Sequence, residues 1–243
     1  MMELNKCYMG LCEDLIKSIP EKSVDLIITD PPYEFINKNP VGGGFMAKDN
    51  KKYLQNVNDT FGMSYNPKNY LVECKRIMKI FNAYFFTNKS LLMDYISFAE
   101  ANNYLWDILV WFKPNPVPLN NQHYLIDKEY CVYIKEKGAT FNTKEGFNRY
   151  YTVKTFPIGG SKEFDHPTVK PISFIEDLVL ISSKEGDLVF DGYCGSGTTL
   201  VASKKHKRNY LGFEKESKFM DIISKRLKGI ISNKDYIKSI FSM

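Results

Sequence analysis

Metal-binding side chains are scarce in this chain of 243 residues. It has three histidines, His123, His166 and His206, and five cysteines, Cys7, Cys12, Cys74, Cys131 and Cys194, none in the close pairs that structural zinc uses. An odd number of scattered thiols disfavours a disulfide framework, so reduced cysteines and no structural metal are expected. No apolar run approaches the roughly 18 residues of a membrane span. The opening MMELNKCYMGLCED lacks the basic head, apolar stretch and small-residue cleavage site of a secretory signal, so the expected compartment is the cytoplasm, without membrane contact. Strong charge is missing too. A formal net charge of +5 permits a polyanion partner but falls short of a dedicated nucleic-acid module.

What is present reads as one α/β domain over residues 1–243. Val24–Thr29 is a short, nearly continuous apolar run rich in branched residues, the pattern of a buried parallel strand, and Asp30-Pro31-Pro32-Tyr33 ends it. Residues 36–66 are polar, carry Gly42-Gly43-Gly44 and show no sustained period, which predicts a mobile loop suited to act as a substrate lid. Helices are predicted over 67–79 and 90–101, and strands over 83–87, 105–112 and 130–134. The rest of 113–170 is irregular and interleaves Lys135, Lys137, Lys144, Arg149 and Lys154 with Phe141, Phe147, Tyr150, Tyr151 and Phe156, for which base recognition is one explanation. Regular alternation resumes with a helix over 171–182, a strand over 187–190, a glycine loop, a helix to 205, a strand over 209–213 and a helix from 217.

Two constellations carry chemistry. Asp191-Gly192-Tyr193-Cys194-Gly195-Ser196-Gly197-Thr198-Thr199 lies between a strand and a helix, and Glu214 follows at the end of the next strand. The glycines let backbone approach a ligand, and the acid about 20 residues on suits a ribose, although a plain β–α turn with a surface glutamate has the same pattern. No Lys-Ser/Thr pair closes the loop, which disfavours a nucleoside triphosphate. The second is Asp30-Pro31-Pro32-Tyr33 at a strand's carboxyl end. An exocyclic amine is a poor nucleophile because its lone pair is delocalised into the ring. Two acceptors on its N–H groups, the Asp30 carboxylate and the Pro31 carbonyl, would favour a pyramidal nitrogen, and Tyr33 would stack on a flipped base. The tetrapeptide alone is equally compatible with a strand-ending turn.

Together with Ser23–Asp30, His166-Pro167-Thr168-Val169-Lys170-Pro171 and Asn209–Glu214, these motifs resemble the DNA amino-methyltransferases of the β group over nearly the whole chain. The resemblance implies a circularly permuted, mostly parallel Rossmann-like sheet, with a target-recognition region over 113–165 inserted between its halves. It implies S-adenosylmethionine as cofactor, enclosed by Asp191, Tyr193, Gly195, Ser196, Gly197, Thr198, Thr199 and Phe213. Glu214 would hold the ribose, and His166, Thr168 and Lys170 would lie near the methionine part. Catalysis falls to Asp30, Pro31, Pro32 and Tyr33. Asp30, where cytosine-N4 relatives more often carry serine, favours N6 of adenine; cytosine-N4, an RNA base, a protein amide and a non-catalytic cofactor-binding DNA regulator are the alternatives. Double-stranded DNA, a homodimer and a cognate restriction nuclease are the implied partners. Two departures stand out: Gly192-Tyr193 where relatives often have Pro-Phe, and Leu11 where they often place an aspartate that contacts the cofactor's adenine.

Overall fold

The structure is a computed structural model that describes residues 2–32, 65–116, 124–144, 146–157 and 169–230. Among these, eight strands form one sheet: β1 (Lys6–Met9), β2 (Leu26–Thr29), β3 (Asn82–Thr87), β4 (Leu105–Phe112), β5 (Lys128–Lys135), β6 (Val153–Thr155), β7 (Leu188–Asp191) and β8 (Asn209–Glu214). The helices are α1 (Cys12–Leu15), α2 (Pro67–Ile77), α3 (Leu92–Ala101), α4 (Ile172–Ser182), α5 (Thr198–Lys205) and α6 (Ser217–Leu227). The strands lie in the order β1-β8-β7-β2-β3-β5-β4-β6, and only β5 runs against its neighbours. This is the mostly parallel α/β sheet expected.

The sheet is covered on both faces, which explains why its central strands show no polar alternation. Successive side chains of a strand point to opposite faces. Leu26, Ile28, Tyr84 and Phe86 therefore pack beneath Phe174, Ile175, Leu178 and Val179 of α4 and Ala202 of α5. Ile27, Ala83 and Phe85 pack on the other side with Tyr70, Leu71, Cys74 and Ile77 of α2 and Tyr95 and Ala99 of α3. Each fully buried Leu, Ile or Phe contributes roughly 1.5–3 kcal/mol relative to exposure. Helix α2 starts where Pro67 occupies the first turn and the Asn66 side chain accepts from Lys68 N at 3.0 Å and Asn69 N at 3.4 Å.

The predicted elements differ from the observed ones mainly at their ends. Helix α2 stops at Ile77 because Met78 is extended and bridges to Val24. Helix α3 begins at Leu92 because the Asn88 side chain accepts from Ser90 N at 3.0 Å and Leu91 N at 3.3 Å, holding the preceding residues in a turn. Two strands are additions, β1 and β6, and they are the two edges of the sheet. The stretch 113–170 is thus less irregular than its composition suggests. Apart from Tyr65 and Asn66, the loop expected over 36–66 lies outside the described residues, as do Tyr33, His166 and Thr168. Among the described residues no helix is long and apolar enough to cross a membrane.

Candidate active site

Open parallel sheets leave a crevice beyond the carboxyl ends of their strands. Here the ends of β1, β8, β7 and β2 frame a cleft that opens to solvent, walled by Gly10–Glu13, Thr29–Pro32, Asp191–Ser196 and Phe213–Lys215. Lys170 and Phe86 close one side.

The glycine loop after β7 is held from three directions. Asp191 Oδ1 accepts from Thr29 Oγ1 at 2.9 Å and from Tyr193 N at 3.1 Å. Glu214 accepts from Gly195 N at 2.7 Å and, through its other oxygen, from Glu216 N at 2.8 Å. From behind, Arg226 of α6 is buried and donates to Ser196 O at 2.7 Å, Ser196 Oγ at 3.0 Å and Thr198 Oγ1 at 3.1 Å. A basic residue in the last turn of an amphipathic helix gives no sign of this role in the sequence. Gly195 and Gly197 have φ of 50° and 80°, where a side chain is strained. A Cβ at residue 197 would also lie 2.8 Å from Ile223 Cγ1. Gly197→Val is expected to weaken cofactor binding by about tenfold through a displaced loop, measured by calorimetry. Unchanged affinity in the folded variant would separate the loop's shape from binding.

The chain's departure at 192 has a packing cause. A Cβ there would sit 2.6 Å from Tyr70 Oη and 2.7 Å from Cys12 Sγ, so α2 and α1 fill the space that proline would need. Tyr193 packs its ring 5.4 Å from that of Tyr70, and its hydroxyl donates to Glu13 Oε1 at 2.8 Å. Leu11 walls the cleft without a polar group, while Glu13 offers a carboxylate two residues later.

Burial dominates the electrostatics. It pushes Asp191 up to about 7 against the opposing hydrogen bonds from Tyr193 N and Thr29, and it raises Glu214 against those from Glu216 N and Gly195 N. Asp30, beyond β2, is also raised by burial, with Lys170 opposing and Glu129 reinforcing the shift. Its Oδ2 is ion-paired to Lys170, whereas Oδ1 is buried with no hydrogen-bonding partner among the described residues. A buried acceptor left open is costly and marks a place where a donor is expected. Lys170 Nζ also lies 3.3 Å from Glu129 Oε2, and Glu129 Oε1 accepts from Lys113 Nζ at 2.5 Å. Despite its burial, Glu129 is held low by these two lysines, and Lys170 is held above its ordinary value by the two carboxylates.

The fold thus gathers Asp30, Pro31, Pro32, Lys170, Asp191, Tyr193, Gly195, Ser196, Thr198, Thr199, Phe213 and Glu214 around one cleft, with Gly197 supporting the loop. Lys170, expected beside the methionine part of a cofactor, has its ammonium engaged by Asp30 and Glu129. Glu129, Lys113 and Arg226 were not foreseen.

The N6/N4 family of DNA methylases matches residues 24–225. The Type II methyltransferase M.HinfI of Haemophilus influenzae is 30% identical over 260 residues, covering 97% of this chain and 71% of its own length. A crystal structure of the M1.HpyAVI-SAM complex is 26% identical with a TM-score of 0.63, covering 91% of this chain and 98% of that one. The PvuII DNA methyltransferase, described as cytosine-N4-specific, has a TM-score of 0.70 over 98% of this chain and 92% of its own; at 17% identity it speaks for the fold alone.

Proposed function

This chain belongs to the N6/N4 DNA methylase family, and from that premise we propose that it moves a methyl group from S-adenosylmethionine to N6 of an adenine flipped out of double-stranded DNA. The observation that carries the reading is the open Oδ1 of Asp30, an acceptor on the same cleft as the glycine loop, Asp191 and Glu214.

The residues present suit this cofactor. Positive-φ glycines allow close backbone approach, the buried Asp191 carboxylate suits a cationic amino or sulfonium group, and Glu214 beside Gly195 suits ribose hydroxyls. The bound cofactor supplies a methyl group on a sulfonium that departs as a neutral thioether. The remaining work belongs to the chain. Asp30 Oδ1 and the Pro31 carbonyl accept the two N–H bonds of the target amine, pull its lone pair out of conjugation and aim it at the methyl carbon. As the N–C bond forms and the S–C bond breaks, a surplus proton is left on nitrogen, and the Asp30 carboxylate, raised by burial, is the base assigned to it. Tyr33, assigned by family likeness to stacking on the flipped base, and His166 and Thr168, assigned likewise to the methionine end, lie outside the described residues.

DNA would dock along residues 113–165, whose described part exposes Phe147 at 87% and Tyr151 at 63% near Arg149. A homodimer, a cognate restriction nuclease and a cytoplasmic location complete the proposal by likeness to the family.

Asp30 in place of serine favours adenine. Radiolabelled methyl transfer to unmethylated DNA, RNA and protein, followed by nucleoside analysis, is expected to yield N6-methyladenine in DNA. N4-methylcytosine as the sole product would move the assignment to cytosine. Tight cofactor and DNA binding without transfer would favour a regulator.

A further inference from the structure

The lone antiparallel strand has a consequence for the site. Because β5 runs opposite to β3 and β4, its first residues, not its last, reach the sheet end where the cleft lies. Tyr130 pairs with Thr87, and Glu129 pairs with Trp111 near the end of β4, beside Lys113. The antiparallel turn of topology therefore delivers a carboxylate next to the pair formed by Asp30 and Lys170.

The four groups form an alternating chain, Lys113, Glu129, Lys170 and Asp30, with side chains 9%, 16%, 7% and 26% exposed. Two positive and two negative charges cancel. At the far end stands the open Oδ1 of Asp30.

We propose that Glu129 is a positioning residue for methyl transfer: by anchoring Lys170 it keeps Asp30 engaged through Oδ2 alone, with Oδ1 free for the target amine. The proposal rests on the function assigned above. Without Glu129, Lys170 has only Asp30 as a charged partner and is free to cover both of its oxygens. The two buried lysines would then also outnumber the single carboxylate, beside a nitrogen that gains positive charge as the methyl group arrives. Glu129 serves both orientation and balance.

A pH profile distinguishes this role from simple packing. Asp30 is faced by Lys170 from the segment before α4, Glu129 and Cys131 from β5, Lys113 after β4, Asp191 from β7 and Tyr95 from α3. Its carboxylate form is the active one, so activity falls as pH drops through its titration. Glu129→Gln removes a negative neighbour and is expected to shift that acid limb down by about one pH unit. Lys113→Met removes a positive neighbour and is expected to shift it up.

The test is single-turnover methylation of unmethylated genomic DNA at saturating S-adenosylmethionine across the acid range, with circular dichroism as a folding control. Glu129→Gln is expected to lose about tenfold or more in rate with cofactor KM changed less than about threefold. Glu129→Asp, which keeps the charge but shortens the reach, is expected to keep the parental limb and lose part of the rate. A folded Glu129→Gln with parental rate, or with a slower rate and an unmoved limb, overturns the proposal. Should Glu129→Gln fail to fold, an unmoved limb in Lys113→Met overturns it instead. Parental activity in Asp30→Asn would sink the underlying function, whereas failure of the Glu129 predictions alone leaves Asp30 in its assigned role.

Discussion

Asp30→Ala is expected to cut methyl transfer by about a thousandfold at saturating cofactor while changing cofactor affinity by less than about threefold. The asymmetry follows from where the carboxylate points. Its Oδ2 engages Lys170 and its Oδ1 engages nothing among the described residues, so the residue makes no hydrogen bond to the glycine loop proposed to hold the cofactor. Removing it deletes the acceptor proposed for the target amine and leaves Lys170 paired only with Glu129, 3.3 Å away. That second effect costs stability, because a buried cation loses a partner. Asp30→Asn keeps the shape and separates the two contributions.

Glu214→Ala is the complementary experiment. Its carboxylate accepts from Gly195 N and Glu216 N, so the change frees the loop and removes the proposed ribose acceptor. Cofactor binding is expected to weaken most, and added cofactor to restore part of the rate, since the acceptors around the amine persist. Calorimetry and single-turnover methylation on the same folded preparations decide both cases. Near-parental single-turnover rates in Asp30→Ala would remove Asp30 from the mechanism, whatever Glu214→Ala does.

How much of this was readable from the chain depended on burial. Strands β2 and β3 are covered on both faces, so their segments are apolar without interruption and stand out. Strands β1 and β6 are short edges, β1 exposed at both ends and β6 exposed on either side of the buried Lys154, and nothing in four or three such residues distinguishes a strand from a loop. The site divides in the same way. Asp30, the glycine loop and Glu214 are local motifs at strand ends and could be found by spacing. Glu129 and Lys113 looked like ordinary polar residues flanking strands: the reversed direction of β5 brings Glu129 to Lys170 and Asp30, and Lys113 meets Glu129 from the end of the neighbouring β4. Gly192 stood out in the sequence only as a departure from relatives; packing against Tyr70 and Cys12 makes it a requirement for closeness.

Asp191→Asn is expected to make the protein more stable at pH 8 and a much poorer cofactor binder. Asp191 is 3% exposed, and burial lifts its carboxyl from an ordinary 3.8 to about 7. The folded state thus holds this proton more tightly than the unfolded one. Its stabilising contribution is fully present below 3.8 and is lost as pH rises through about 7. A shift of about three units sets an upper bound of about 4 kcal/mol for the cost of keeping the group charged at pH 8. Asparagine retains an oxygen for Thr29 Oγ1 and Tyr193 N, so a gain on the order of 2 kcal/mol is expected, or about 4–8 °C in Tm. At pH 4.5 that gain should shrink to about a quarter, because the folded parental carboxyl is then protonated while the unfolded one is still mostly ionised. Cofactor binding responds in the opposite sense. A buried carboxylate facing a cationic ligand loses about a hundredfold in affinity when its charge is removed, and parental affinity should itself fall as pH drops below about 7. Thermal melts at pH 8 and 4.5, with cofactor calorimetry at pH 8, test both halves. Parental affinity in the variant would take Asp191 out of the cofactor site, and an unchanged melt at pH 8 would mean that the carboxylate is not strained in the free protein.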